Sequence, residues 1–335
     1  MSDTVRVGVI GAGAIAQVAH LPVLKRREDV EIVGLCDSDV AKAQALAGRF
    51  RVADVYDDIE DLLRYCRPEA VVICTPNHLH EVHAISAIRA GVPVLCERPL
   101  ALSPAGVERV MRQVDRANLP VMVGMNHRFR EDVQAVRTFL LGGELGELRS
   151  VRAYWHIFRP AGAPAGWRVR PAESGGGAML DLGLPLVDLA LWLAQCPSSR
   201  RVSAVFGGTH ERGAVEDLGA AFMQCAEGHS VFIDVSWRHM GEQERFTLEV
   251  VGTAGSASIA PLSVFKELHG AAVDVTPPLE QAGDPFSSSY RAEWDHFVRV
   301  VRGTKPAPLL DEQLQLQRTM EAIQRSAAEG REIAL

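Results

Sequence analysis

The chain lacks an excess of positive charge, a Cys-x-x-Cys pair and a long uninterrupted apolar run. Each absence removes a class of function. Its 35 Lys and Arg are outnumbered by 42 Asp and Glu, giving a formal net charge of -7. A basic face for phosphates is therefore not expected, and nucleic acid is not an expected partner. The six cysteines are Cys36, Cys66, Cys74, Cys96, Cys196 and Cys225, none of them two residues from another. Several sit in apolar runs, so reduced core thiols in a cytoplasmic protein are expected. No apolar run reads as long enough to span a bilayer, so no membrane partner is expected. The first apolar run begins at Val5, which leaves no room for a signal peptide. Internal repeats and low-complexity tracts are also missing.

What is present has the balance of an ordinary globular protein: 335 residues, 47% apolar and 23% charged. That length suggests two domains. Up to residue 125, short apolar runs alternate with amphipathic stretches. The runs are Val5–Ile10, Ile32–Cys36, Ala70–Cys74, Val92–Cys96 and Val121–Met125. Nearly continuous Val, Ile and Leu predicts strands buried on both faces of a parallel sheet. Helices are predicted over Val40–Phe50, Leu79–Ala90 and Pro104–Ala117, the last with Ser103 as N-cap and proline at its first position. The predicted fold class for residues 1–125 is therefore an α/β Rossmann domain with a doubly wound parallel sheet.

After residue 126 the pattern changes to strict alternation. Val151, Ala153, Trp155 and Ile157 point one way and Arg152, Tyr154 and His156 the other. Phe246, Leu248 and Val250, and then Val231, Ile233, Val235 and Trp237, repeat the theme. Helices are predicted over Glu131–Leu141, Gly177–Ala194, Tyr290–Arg302 and Asp311–Ala328. Residues 126–335 thus read as an α+β domain with a mostly antiparallel open sheet. The Pro- and Gly-rich stretch Arg159–Ser174 reads as a long loop. One sheet face left open, with Tyr154 and Phe232 on it, predicts a homodimer or homotetramer.

Gly11-Ala12-Gly13-Ala14-Ile15-Ala16 follows the first strand and opens a helix. This is G-x-G-x-x-A: Gly11 for a tight turn, Gly13 for close approach to a pyrophosphate, Ala16 for close helix–strand packing. The N–H groups around Ala14 and Ile15 meet the phosphates. Asp37 ends the second strand. A carboxylate there accepts from a ribose 2′-hydroxyl and repels a 2′-phosphate, so NAD(H) is favoured over NADP(H).

Further motifs follow: Thr75-Pro76-Asn77-His78-Leu79-His80, Cys96-Glu97-Arg98-Pro99-Leu100, Gly175-Gly176-Gly177-Ala178-Met179-Leu180-Asp181-Leu182-Gly183 and Gly252-Thr253-Ala254-Gly255-Ser256. In this order the set resembles the glucose–fructose oxidoreductase / inositol dehydrogenase / MocA family over nearly the whole chain. The resemblance implies an NAD(P)-dependent oxidoreductase. Hydride would pass between nicotinamide and a hydroxyl or keto carbon of a sugar, cyclitol or sugar derivative. It also implies that Thr75, Asn77, His80, Glu97 and Arg98 line the nicotinamide half of the cofactor.

Two positions depart from the family pattern. Arg98 stands where the family has lysine. Arginine can hold a hydroxyl, carboxylate or phosphate but cannot act as a base. Pro185 stands where the family has the histidine that stacks one turn beyond Asp181. Proline has no titratable group and should kink the helix or leave the Asp181 carbonyl without a partner. The expected catalytic set is accordingly Asp181, with Arg98 orienting substrate, and His156 as a further candidate; Tyr154 and His127 rank below. No metal site is expected at His78, His80 and His83. Alternative functions are a non-catalytic ligand sensor or scaffold that keeps the cofactor pocket, and a lyase or hydrolase working through a transiently oxidised sugar.

Overall fold

Runs of branched aliphatic residues build two separate sheets in the computed structural model, which describes residues 4–160, 166–195, 199–208, 215–279 and 283–335. The chain divides into two compact units, Met1–Asn126 with Gly283–Leu314, and His127–Ala282 with Gln315–Leu335. The sequence expectation was a division at residues 125/126; the first crossing between the units here falls at 126/127. Residues 283–314, expected in the second domain, are assigned to the first unit.

The first unit holds β1 (Val5–Ile10), β2 (Val30–Cys36), β3 (Val55–Tyr56), β4 (Ala70–Ile73), β5 (Val94–Glu97) and β6 (Val121–Gly124). All pair in parallel, in the order β3-β2-β1-β4-β5-β6. Every residue of β4, β5 and β6 is buried, as the unbroken apolar runs require. The strand order reverses between β1 and β4, the place where open parallel sheets bind ligands. Helices Val40–Phe50 and Pro104–Ala117 have the predicted bounds, and Ser103 caps the second by accepting from the Gly106 N–H at 3.2 Å.

The second unit holds β7 (Leu148–His156), β8 (Ser199–Gly207), β9 (Leu218–Cys225), β10 (Ser230–Ser236), β11 (Arg245–Gly252), β12 (Gly255–Ile259), β13 (Ser263–Leu268), β14 (Ala271–Asp274) and β15 (Ile333–Ala334). They form one sheet, β14-β13-β12-β11-β7-β10-β9-β8-β15, antiparallel except for the central pair β7 and β10. One face, with Val151, Ala153, Ala221, Met223, Val231, Ile233, Val235 and Leu248, is buried. The helix Leu184–Leu193 and the turn before it pack against β7, β9 and β10. The other face exposes Tyr154, Phe222, Phe232 and Val205, the last to 71%.

That helix corrects one sequence reading. The stretch Pro171–Leu193 is long and apolar enough to cross a membrane, although no such run was expected. The window that passes is 83% buried inside the protein, as suits a core helix. The five described cysteines are buried. Cys196 and positions 161–165 of the Arg159–Ser174 loop lie outside the described residues.

Candidate functional site

The glycine elbow is built by contact with the neighbouring strand. Gly11 has φ +97°, and a Cβ on it would lie 2.6 Å from the Cys74 carbonyl carbon. Only glycine takes that conformation without strain and clears that approach. Gly13 and Ile15 are half-buried and Ala14 is exposed, so the elbow lies near the surface. The helix that opens here passes into a π-helical turn, Ala16–His20, with Ala16 fully buried. Close-packed glycine backbone opening a helix start is what a pyrophosphate requires, so these residues fit a dinucleotide.

Asp37 stands beside the elbow. One oxygen accepts from the Ala12 N–H at 2.7 Å and lies 2.8 Å from Lys42 Nζ; the other accepts from the Asp39 N–H at 3.0 Å. Burial opposes ionisation of Asp37, but Lys42 and the two backbone donors outweigh it and hold the carboxyl below its ordinary value. Lys42 is a partner that the sequence reading did not name. It stands in the first turn of a helix capped by Asp39, which is the signal that could have found it.

Thr75 and Asn77 are half-buried at the end of β4 and the start of the helix Asn77–Arg89. Thr75 Oγ1 is 3.1 Å from His83 Nδ1, and burial pulls that imidazole down to about 4. His80 is 1% exposed, with Nδ1 2.7 Å from the Pro99 carbonyl and Nε2 2.8 Å from the Thr75 carbonyl. Neither ring nitrogen is left for a ligand. Where the resemblance implies a cofactor contact, the structure shows a clamp between two loops. Arg98, half-buried, precedes a cis peptide bond to Pro99.

Glu97 points into the first unit. Its Oε1 lies 2.9 Å from His20 Nε2 and accepts from the Tyr290 hydroxyl at 3.2 Å; the Trp294 indole donates to His20 Nδ1 at 3.0 Å. Burial would raise the Glu97 carboxyl, yet His20, then Arg98 and His80, hold it below its ordinary value. Glu293 beside it is fully buried, with neither oxygen hydrogen-bonded among the described residues. Burial first and Glu97 second raise Glu293 well above the carboxylate range. The sequence reading named only Glu97 of this group, because its hydrogen-bonded pairs are 77 to 274 positions apart.

In the second unit, Gly177 lets the backbone pass the chain at Glu216, whose carbonyl oxygen a Cβ would meet at 1.9 Å. The Glu216 carboxylate then caps the helix start, accepting from the N–H groups of Gly177 at 2.9 Å and Met179 at 3.0 Å. The segment Met179–Gly183 is a π-helical turn, closed by the Leu184 N–H donating to the Met179 carbonyl five residues back. This widened turn, just before Pro185, carries Asp181.

Asp181 is half-buried, and its Oδ2 accepts from the Trp237 indole at 3.1 Å. Arg159 Nη2 stands 3.8 Å from the same oxygen and Arg168 Nε 4.0 Å from the other. Arg159 lies over the Trp237 ring, 4.2 Å from its centroid, and its N–H donates to the Trp237 carbonyl at 2.8 Å. Asp188, seven residues on, is 3% exposed and bound bidentately by Arg128 at 2.6 and 2.8 Å, so it serves structure.

His156 is not brought to Asp181. It alternates with Trp155 onto the open face of the sheet, opposite the face that receives the Asp181 helix. There it stands 3.3 Å from Asp234 and beside the rings of Tyr154 and His239. Its place as a catalytic candidate beside Asp181 is therefore withdrawn, and Tyr154 falls with it. His127 stacks on Phe246 with Trp155 at its edge.

Comparisons with known proteins agree with this architecture. The GFO/IDH/MocA description "oxidoreductase family, NAD-binding Rossmann fold" matches residues 5–125, and the GFO/IDH/MocA C-terminal domain matches residues 133–258. The D-glucoside 3-dehydrogenase of Escherichia coli (strain K12) is 28% identical, with 100% of this chain and 98% of the relative covered. The inositol 2-dehydrogenase of Rhizobium meliloti (strain 1021) is 28% identical, covering 99% of each. Among solved structures, GenD2 from gentamicin A biosynthesis in complex with NAD superposes with a TM-score of 0.85 at 27% identity, covering 99% of this chain and 96% of that one.

Proposed function

This chain belongs to the GFO/IDH/MocA family of NAD-binding oxidoreductases, and from that premise we propose that it interconverts a secondary hydroxyl and a ketone on a sugar, cyclitol or related polyol. Relatives named as dehydrogenases support an enzyme and do not favour the sensor or lyase alternatives. Bound at the elbow, a nicotinamide dinucleotide supplies the acceptor or donor of hydride. The chain's residues supply the rest.

Gly11, Gly13, Ala14 and Ile15 offer backbone to the pyrophosphate, and Asp37 accepts from the adenosine ribose. An ionised Asp37 supports NAD(H) over NADP(H), with Lys42 tempering the repulsion of a 2′-phosphate. Arg98 orients a substrate hydroxyl. Asp181 accepts the hydroxyl proton as the carbinol becomes a ketone, passes it to water, and returns it in the reverse direction. The observation that carries this reading is the placement of Asp181: a partly accessible carboxylate, fixed by the Trp237 indole on a widened helical turn. General acid–base help of this kind contributes about 10²–10⁴-fold in rate.

The test is absorbance of NADH during incubation with a panel of polyols, glycosides, keto-sugars and uronates. Turnover by the wild type, with NAD(H) bound more tightly than NADP(H), is the expected result. Sugar binding without any change in the cofactor would overturn it. The open sheet face with Phe222 and Phe232 supports a dimer or tetramer, which sedimentation tests. Cysteines buried in the core support a cytoplasmic setting.

A further inference from the structure

We infer that Arg159 and Arg168 form a seat for an anionic group on the substrate, a carboxylate or a phosphate monoester, beside Asp181. The inference rests on the oxidoreductase reading above and names the substrate class that this reading leaves open.

Three other half-buried arginines of this protein are gripped by carboxylates. Arg128 holds Asp188 at 2.6 and 2.8 Å, Arg130 holds Asp132 at 2.6 and 3.0 Å, and Arg27 holds Asp29 at 3.0 Å twice. Those are bidentate pairs at charge-assisted distances. Arg159 and Arg168 differ. Their approaches to Asp181, 3.8 and 4.0 Å, are outside hydrogen-bond range. Arg159 Nη1 is enclosed and has no hydrogen-bond partner among the described residues. A guanidinium carries five N–H donors in a fixed fork, so much of its capacity is unengaged here.

The cation is nevertheless held in place. The Trp237 ring lies under it, the Trp237 carbonyl takes its backbone N–H, and Trp237 itself is 3% exposed. Burial, against the pull of Asp181, lowers the pKa of Arg159. Two cations and one carboxylate leave a local charge of +1. A neutral polyol leaves that charge uncompensated, and a singly charged anion balances it. A rigid, partly desolvated guanidinium whose exposed edge is not gripped by a carboxylate is suited to planar, two-point recognition of a carboxylate or phosphate.

The experiment compares kcat/KM with NAD+ for D-glucuronate, D-glucose 6-phosphate and D-glucose at one ionic strength. The wild type is expected to prefer at least one anionic sugar over glucose by about tenfold or more. Arg159→Met and Arg168→Met should each reduce that preference about tenfold to a hundredfold. Arg159→Lys should recover part of it, and NADH affinity should report that each variant is folded. Preference for glucuronate alone assigns a carboxylate, and preference for glucose 6-phosphate alone a phosphate. Equal use of glucose and both anions, or variants that leave the preference intact, overturns the seat while leaving the oxidoreductase reading standing. Should no sugar reduce NAD+, that reading fails separately. The seat is then decided by calorimetric titration of both anions into the NADH-loaded protein: binding lost in Arg159→Met supports it, and no binding overturns it.

Discussion

Asp37 and Asp181 are both carboxylates that the family assigns to ligands, but the two units hold them differently. Asp37 is ringed by protein donors: two backbone N–H groups at 2.7 and 3.0 Å and the Lys42 ammonium at 2.8 Å. Asp181 takes an indole N–H at 3.1 Å, while two guanidinium groups stand back at 3.8 and 4.0 Å. The first unit presents a finished surface, fixed mainly by backbone, to a cofactor whose shape does not vary. In the second, the two guanidinium groups stand beyond hydrogen-bond range of the carboxylate, which suits the substrate role proposed for it. Preorganised first contacts on rigid elements with open donors are what a binding site needs and a core does not.

This contrast can be broken most severely at its fully paired end. Asp188→Ala removes the carboxylate that Arg128 grips inside the second unit, with side-chain exposures of 12% and 3%. Unfolding in denaturant should show a loss of about 3–5 kcal/mol, because a buried cation loses its counter-charge. If Arg159→Met costs the same stability, the distinction between engaged and unengaged arginines is wrong.

Gly11→Ala attacks the backbone side. A Cβ there meets the Cys74 carbonyl at φ +97°. The left-handed conformation alone costs about 1–2 kcal/mol for an alanine, and the contact adds to it. NADH fluorescence titration should show at least about tenfold weaker binding. Unchanged affinity would mean the elbow is not the pyrophosphate site.

Asp37→Ala sharpens the cofactor side. It removes the ribose acceptor and releases Lys42 toward a 2′-phosphate. The ratio of NADH to NADPH affinity should fall by about tenfold or more. A ratio that stays constant would place the discrimination elsewhere.

The smallest effect is in acid. The His83 imidazole is lowered from 6.5 to about 4 by burial, so the unfolded chain binds a proton that the folded protein refuses. Folding stability therefore declines as pH falls through 6.5 and levels off below 4. The loss is on the order of 1–3 kcal/mol. Asn in place of His83 should flatten that part of the melting curve. A wild-type profile with no slope between pH 6.5 and 4 would remove the claim.

The sequence made these two regions legible to different degrees, for physical reasons. Period-2 alternation and unbroken apolar runs report burial directly, so both sheets and helices such as Glu131–Leu141 were readable, with β1 matching residue for residue. β8 and β9 were missed because runs such as Arg201-Val202-Ser203-Ala204 mix small and polar residues. The elbow was legible because a backbone constraint leaves glycines behind. The grip on Asp181 was not, since Trp237, Arg159 and Arg168 come from three separate stretches that only the sheet assembles. Resemblance also could not show that His80 would be sealed between two carbonyls or that His156 would face away from Asp181. Those outcomes depend on loop contacts and on which sheet face the helix covers. That the turn before Pro185 is π-helical needed the backbone to see.

The account stands most directly on Asp181. The decisive measurement is the initial rate of NADH formation by wild type and Asp181→Asn on the best sugar of the panel, with NADH affinity measured for both. A fall in kcat of about 10²–10⁴-fold at unchanged cofactor affinity is predicted. An Asp181→Asn protein that turns over as fast as the wild type would show that the proton goes elsewhere.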